Sequence, residues 1–114
     1  MSTYLVACLV SEFAFRTARP VIRQIDGNDQ SMHNVTEVRI WARSEAIEQA
    51  DRAVQVTSDM LEFLEQYFQV PFPLPKVDLV GLPDFSSGAM ENWGLITYRF
   101  SWLKSNCTQF QQLY

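Results

Sequence analysis

Gly88-Ala89-Met90-Glu91-Asn92-Trp93-Gly94 sets one carboxylate, Glu91, between two glycines, with an apolar run on either side: Val77 to Leu82 before it and Leu95 to Tyr98 after it. The two runs read as short strands, so the segment between them is a loop or strand edge on a rigid base, a setting in which binding groups concentrate. A glycine at each end has no Cβ to clash, so the backbone can turn tightly or approach a ligand closely. Gly, Asn and Asp between apolar runs are also ordinary hairpin punctuation, and an acidic loop residue is commonly just solvated. Spacing alone favours the second, ordinary turn reading.

At 114 residues and 47% apolar content the chain is one small domain's worth of globular sequence. Thirteen acids against nine bases give a net charge of −4, which argues against a nucleic-acid surface, and the aromatics are not interleaved with Lys and Arg on one strand. The longest unbroken apolar run is Tyr4 to Val10, far short of the roughly 20 residues that span a bilayer. Nothing at the start has the pattern of a signal peptide. The two cysteines, Cys8 and Cys107, sit in no metal spacing, and Cys8 inside an apolar run is expected to be a buried free thiol. Asn34-Val35-Thr36 and Asn106-Cys107-Thr108 are glycosylation sequons that matter only in a secretory compartment.

Taken in order, Tyr4 to Val10 is expected to be a strand buried on both faces. A chain that opens on such a strand, with no partner strands before it, is expected to be a piece of something larger. Residues 14 to 34 are mixed and polar around a short Val21-Ile22-Arg23 run. Val35 to Ala42 alternates, with Val38, Ile40 and Ala42 against Glu37, Arg39 and Trp41, as a strand with one wetter face does. Ser44 is a suitable N-cap for a long amphipathic helix over about residues 45 to 68, with a break near its first turns. Its stripe is Ile47, Ala50, Val54, Thr57, Leu61, Leu64 and Phe68, and Met60, Phe63 and Tyr67 read as packing residues along it. Pro71, Pro73 and Pro75 then force an extended connection into the Val77 strand. The shift from strands to helix near Arg43 and Ser44 is the best domain boundary.

Gly-Ala-Met-Glu-Asn is the exopeptidase motif of the M1 family of zinc aminopeptidases, and the chain resembles that family over a longer stretch. Pro73-Leu74-Pro75-Lys76-Val77-Asp78, Pro83-Asp84-Phe85 and Trp93-Gly94-Leu95-Ile96-Thr97-Tyr98-Arg99 match it nearly residue for residue. Tyr4-Leu5-Val6-Ala7, Ser11-Glu12-Phe13 and Val38-Arg39-Ile40-Trp41-Ala42-Arg43 are similar to the segment just upstream, so the resemblance covers about residues 1 to 99 and is nearest the aminopeptidase N branch. It implies an α+β chain. Residues 1–43 would be the last strands of a β-rich N-terminal domain. Residues 44–99 would be the start of a thermolysin-like catalytic domain, one long helix plus a small mixed sheet, and 100–114 a divergent tail. The tail departs from the family because Phe100-Ser101-Trp102-Leu103-Lys104 stands where an acidic residue and paired leucines usually follow.

The resemblance also implies a substrate site. Glu91 receives the free α-ammonium of a peptide, backbone groups around Gly88 and Ala89 hold the peptide in extended register, Met90 lines the first side-chain pocket, and Asn92 completes the motif. An ammonium has three donors and no acceptor, so a fixed carboxylate suits it, and an internal peptide segment lacks the charge. Zinc is the cofactor of the full-length family, and three protein ligands plus an open water position are what such a site needs. This chain has one histidine, His33, and no H-E-x-x-H, so it is expected to bind no zinc, to hold no catalytic residue and to be inactive alone. His33 reads as a solvated loop residue, and the family's transition-state tyrosine comes later than Tyr98. Serine catalysis from Ser86 or Ser87 has neither a G-x-S-x-G elbow nor a second histidine behind it, and the turn reading is preferred.

Two functions from different classes follow. One is a segment of an M1 aminopeptidase, acting on peptide amino termini at the extracellular face of the plasma membrane or in the secretory lumen. The other is a non-catalytic peptide-binding or interaction module, associating with a full-length homologue or with itself through cut sheet edges.

Overall fold

A computed structural model of the chain describes residues 2–24 and 35–101. His33, the sequons at Asn34 and Asn106, Cys107 and most of the 100–114 tail lie outside the described residues. The fold is α+β: one long helix packed on a mixed sheet.

The sheet contains β1 (Ala14–Thr17), β2 (Val21–Ile22), β3 (Val35–Ala42), β4 (Lys76–Leu82), β5 (Ala89–Met90) and β6 (Leu95–Arg99). Their order is β1-β3-β4-β6-β5, with β2 also on β3. β1 and β2 lie end to end along one edge of β3, both antiparallel to it, and the amide of Ala18 between them donates to Val38 C=O at 2.9 Å. Pro20, which has no N–H to give to a ladder, stands where the pairing is interrupted. β4 runs parallel to β3, with Ile40 opposite Leu79, and β6 runs parallel to β4, with Leu79 opposite Ile96. Parallel neighbours need a crossover. Between β3 and β4 it is the helix; the sheet therefore runs across position 43/44.

The alternation expected of β3 is present. Thr36, Val38, Ile40 and Ala42 are buried on the helix side, and Glu37, Arg39 and Trp41 point to the other face, where Phe15 stacks on Trp41 with centroids 4.7 Å apart. Register carries the helix-facing set across the sheet through Val77, Leu79 and Tyr98, which join Val38 and Ile40 in one core cluster.

The helix is broken near its start, as the sequence suggests. A 3-10 stretch, Ile47–Ala50, leads into α1, Asp51–Phe68. Ser44 is not its N-cap: it lies in a turn closed by the Ala46 amide on Arg43 C=O, and neither Ala46 nor Ala50, which precede the two stretches, caps with a side chain. The buried line centres on Ala50, Ala53 and Ser58, with Val54 and Leu61 partly buried beside it. Phe63 and Tyr67 are not packing residues of this core. They are 58% and 71% exposed, because they fall on the outer side of the helix, where each ring instead meets the next one. Gln69 ends the helix in the left-handed conformation at φ 55°, and the prolines follow.

Four ion pairs fasten the first strands to α1. Arg16 meets Asp51, Arg19 meets both Asp59 and Glu62, and Arg23 meets Glu65, the last pair largely buried. Ser58 Oγ donates to Arg19 C=O at the same seam. Glu65 also accepts the Phe72 amide at 2.7 Å, so one carboxylate joins β2, the helix and the connection after it.

Tyr4 to Val10 is not a strand. Thr3–Leu5 form a 3-10 turn, the residues after it pair with no strand, and Val10 is 93% exposed. Cys8 is accordingly an exposed free thiol and not a buried one. Apolar composition signals that a segment is to be covered, and among the described residues only Leu5 of this one is partly covered.

Candidate functional site

Residues 88–94 are placed by a problem of chain direction. β6 is parallel to β4, so after Leu82 the chain must travel back along the sheet before β6 begins. It does so beside β6, and β5 is the part of the return path that pairs with it: Ala89 opposite Tyr98 and Met90 opposite Thr97. β5 is thus the edge of the sheet. The Gly88 carbonyl accepts the Arg99 amide at 2.8 Å, so the alternation of an antiparallel ladder turns the Ala89 N–H and C=O toward the open side. The Ala89 side chain packs on the helix-side core, and Met90, 39% exposed, lies on the opposite face with Thr97.

Three sets of contacts pin this return path. Before β5, the Arg99 guanidinium reaches back to two successive carbonyls, Nε to Phe85 at 2.9 Å and Nη2 to Ser86 at 2.6 Å. After β5, Asn92 is buried to 6% exposure and its Nδ2 donates to Tyr4 C=O at 3.1 Å, while the Trp93 amide donates to Leu5 C=O at 2.8 Å. The opening 3-10 turn is therefore a backstop for the loop. At its end, Leu95 N–H closes on Asn92 C=O at 3.2 Å with Gly94 at φ +74°, the geometry of a type II turn whose third residue needs a positive φ. The Gly94 carbonyl accepts both the Asp78 amide at 3.0 Å and Lys76 Nζ at 3.2 Å.

Glu91 stands between these anchors. It is exposed, and among the described residues it makes no hydrogen bond or ion pair. An unpartnered carboxylate at the end of an open strand edge can accept hydrogen bonds from a cation, while the outward amide and carbonyl of Ala89 can pair with an extended chain lying alongside. Sequence reasoning takes Lys76, Asp78 and Arg99 only as matching residues and misses their work on the loop. A signal exists for the first two: in a strand, positions two apart share a face, and an acid inside the apolar run Val77 to Leu82 needs a partner.

A second concavity lies on the helix side of the sheet. It is an apolar groove of about 520 Å³ between the C-terminal half of α1 (Met60, Leu61, Leu64 and Phe68), the Val70–Pro73 connection, and Val77, Leu79, Ile96 and Tyr98. None of residues 88–92 lines it. Among the described residues no three His, Cys, Asp or Glu side chains come together as a metal site would require. The described residues therefore do not fit a zinc ion.

Residues 52–112 match the peptidase family M1 domain. The chain is 46% identical over 101 residues to human (Homo sapiens) aminopeptidase N, covering 87% of this chain and 9% of that protein. To human endoplasmic reticulum aminopeptidase 1 it is 45% identical over 105 residues, 89% of this chain and 10% of the relative. Chicken (Gallus gallus) aminopeptidase Ey is similar too, 44% identical over 101 residues, 87% of the chain and 9% of the relative. The chain thus spans about a tenth of the length of the curated relatives it matches. With the family domain matched over more than half of its residues, and with identity near 45% along most of its length, this chain belongs to peptidase family M1.

Proposed function

We propose that residues 88–92 are the place where an M1 aminopeptidase holds the amino terminus of its peptide substrate, with Glu91 accepting the α-ammonium. The observation that carries the reading is the isolation of the Glu91 carboxylate, exposed and unpaired among the described residues, in a loop whose two flanks are fixed by Arg99, Asn92 and Gly94. Ala89, with its backbone turned to the open edge, offers extended pairing to the peptide, Gly88 sets the start of that edge, and Met90 faces the first side chain. In this reading 1–43 is the end of an N-terminal β domain, 44–99 the opening of the peptidase domain and 100–114 a tail. The zinc of the whole enzyme is held by residues other than those described. The names aminopeptidase N and endoplasmic reticulum aminopeptidase 1 support a substrate class of peptide amino termini, and the second also supports a lumenal setting; the extracellular alternative rests on the family resemblance. No helix among the described residues is long and apolar enough to cross a membrane.

The test is a titration of the full 114-residue chain with Ala-Leu-Ala and with its N-acetylated form, followed at the Glu91 and Asn92 amides by NMR. At an exposed carboxylate a charge-assisted contact contributes about 0.5–1 kcal/mol, so the free amine should bind about two- to fivefold more tightly. That preference should vanish in Glu91→Gln. A free amino terminus titrates near 7.7–8.0, so the preference is present below that range and lost as pH rises through it. Equal shifts from both peptides at pH 6.5 would count against the reading.

The alternative, an interaction module, is favoured by a different observation, the open apolar groove beside α1. Sedimentation that shows concentration-dependent association, abolished by Leu64→Glu in the groove, would support it.

A further inference from the structure

The foot of the Glu91 loop is tied to the far face of the sheet by four residues from three elements. Asp78, in the middle of β4, is 7% exposed. Its two carboxylate oxygens are both used: Trp41 Nε1, from β3, donates to Oδ1 at 3.0 Å, and Lys76 Nζ donates to Oδ2. The same Lys76 Nζ donates to Gly94 C=O, three residues after Glu91. Lys76 and Asp78 share a face because they are two apart in β4, and the parallel pairing of Asp78 with Leu95 brings Gly94 beside them. A lysine alone samples many rotamers; held by a buried carboxylate that is itself oriented by Trp41, it becomes a fixed donor.

We propose that Lys76, oriented by Asp78 and Trp41, is a positioning residue for amino-terminus recognition. Together with the Asp78 backbone amide it fixes the carbonyl of Gly94, and through that turn the direction in which Glu91 is presented. The inference rests on the reading of Glu91 as the ammonium acceptor. Gly94 at φ +74° makes the point of attachment matter, since a type II turn loosened at its third residue can flip its central peptide, here Trp93–Gly94, which is separated from Glu91 by Asn92 alone. Lys76 reaches the loop through a backbone carbonyl and not through Glu91, so its effect should appear only while Glu91 has a ligand to select.

The experiment uses the full 114-residue chain. Because Lys76→Met alone leaves a buried carboxylate without its cation, the paired variant Lys76→Met/Asp78→Asn is made with it, and Lys76→Arg serves as the conservative rescue. The free-amine preference over the acetylated peptide is measured in each, with and without Glu91→Gln, alongside amide hydrogen exchange at Trp93 and Leu95. The paired variant should lose the preference down to the Glu91→Gln level and add nothing in the Glu91→Gln background. Exchange at Trp93 and Leu95 should rise about threefold to tenfold, the worth of one hydrogen bond, with Val38 and Ile40 unchanged. Lys76→Arg should keep both properties. A folded paired variant with wild-type preference and exchange would overturn the proposal, as would an equal loss in the Glu91→Gln background or a Lys76→Arg that behaves like Lys76→Met. If the wild-type chain shows no preference at all, the Glu91 reading fails by itself. Unchanged exchange at Trp93 and Leu95 would then separately refute the anchoring by Lys76.

Discussion

A methyl group at position 94 would meet Leu74 Cδ1 at 2.9 Å and would have to live at φ +74°. The contact is with the tip of a flexible side chain and can be relieved by a rotation; the backbone conformation cannot, and for a residue with a Cβ it costs about 1–2 kcal/mol. Gly94→Ala should therefore lower stability by about that amount in urea unfolding and, by opening the turn, weaken the preference for free amines as well. An unaltered midpoint would show that the turn relaxes without cost. The sequence marks this glycine as a place for tight turning, and the structure supplies the torsion that requires it. Glu91 stands out through the family motif and not through its spacing, because one carboxylate between glycines reads by itself as a solvated turn. What holds the loop is not legible: the Arg99 fork to Phe85 and Ser86 and the Asn92 bond to Tyr4 join residues 14, 13 and 88 apart, and neither pattern nor propensity encodes such pairings.

Among the elements, α1 shows where periodicity succeeds and where it misleads. The stripe from Ile47 to Leu61 faces the sheet because steps of three and four keep one side of a helix together. Phe63 and Tyr67 join that stripe by apolarity alone; they lie off its side of the helix and stay exposed. The polar side of the helix has a definite job that composition hides, since Asp51, Asp59, Glu62 and Glu65 are the docking points for Arg16, Arg19 and Arg23. The hydrogen bond from Arg19 holds the Glu62 carboxyl below the ordinary carboxylate range, and Glu62 with Asp59 raises Arg19 in turn. A group depressed in the folded state contributes stability above its unfolded value, near 4.3, and that contribution is lost as pH falls through the folded value. Between about pH 5 and 3, then, the wild-type chain should lose more stability than Glu62→Gln, measured as the shift in urea midpoint, and salt should shrink the difference because the pair is exposed. Parallel losses in the two proteins would remove Glu62 from the account. The failed strand at Tyr4 to Val10 has the opposite cause: an apolar run reads as buried wherever it occurs, but burial needs a partner surface.

For the molecule as a whole, the parallel pairing of β3 with β4 is the feature hardest to foresee, because it joins stretches on either side of a helix and of position 43/44. It also sets Trp41 beside Asp78 and so, in the proposed reading, the foot of the recognition loop in place. Catalysis makes a different demand. Peptide hydrolysis of the M1 kind needs three zinc ligands and a carboxylate beside the bound water, and the 114 residues contain a single histidine. The chain should release no amino acid from Ala-Leu-Ala with zinc supplied, by chromatography of the products. A hybrid in which this chain replaces the aligned stretch of human aminopeptidase N supplies the remainder, and the identity of 46% over 101 residues makes the exchange a fair one. The hybrid should release alanine. In it Glu91→Gln should lower kcat/KM by about 10- to 150-fold, because a charged hydrogen bond in an enclosed site contributes about 1.5–3 kcal/mol. Turnover by the chain alone would mean that it holds ligands the family's chemistry does not foresee; a hybrid undiminished by Glu91→Gln would mean that the amino terminus is held elsewhere.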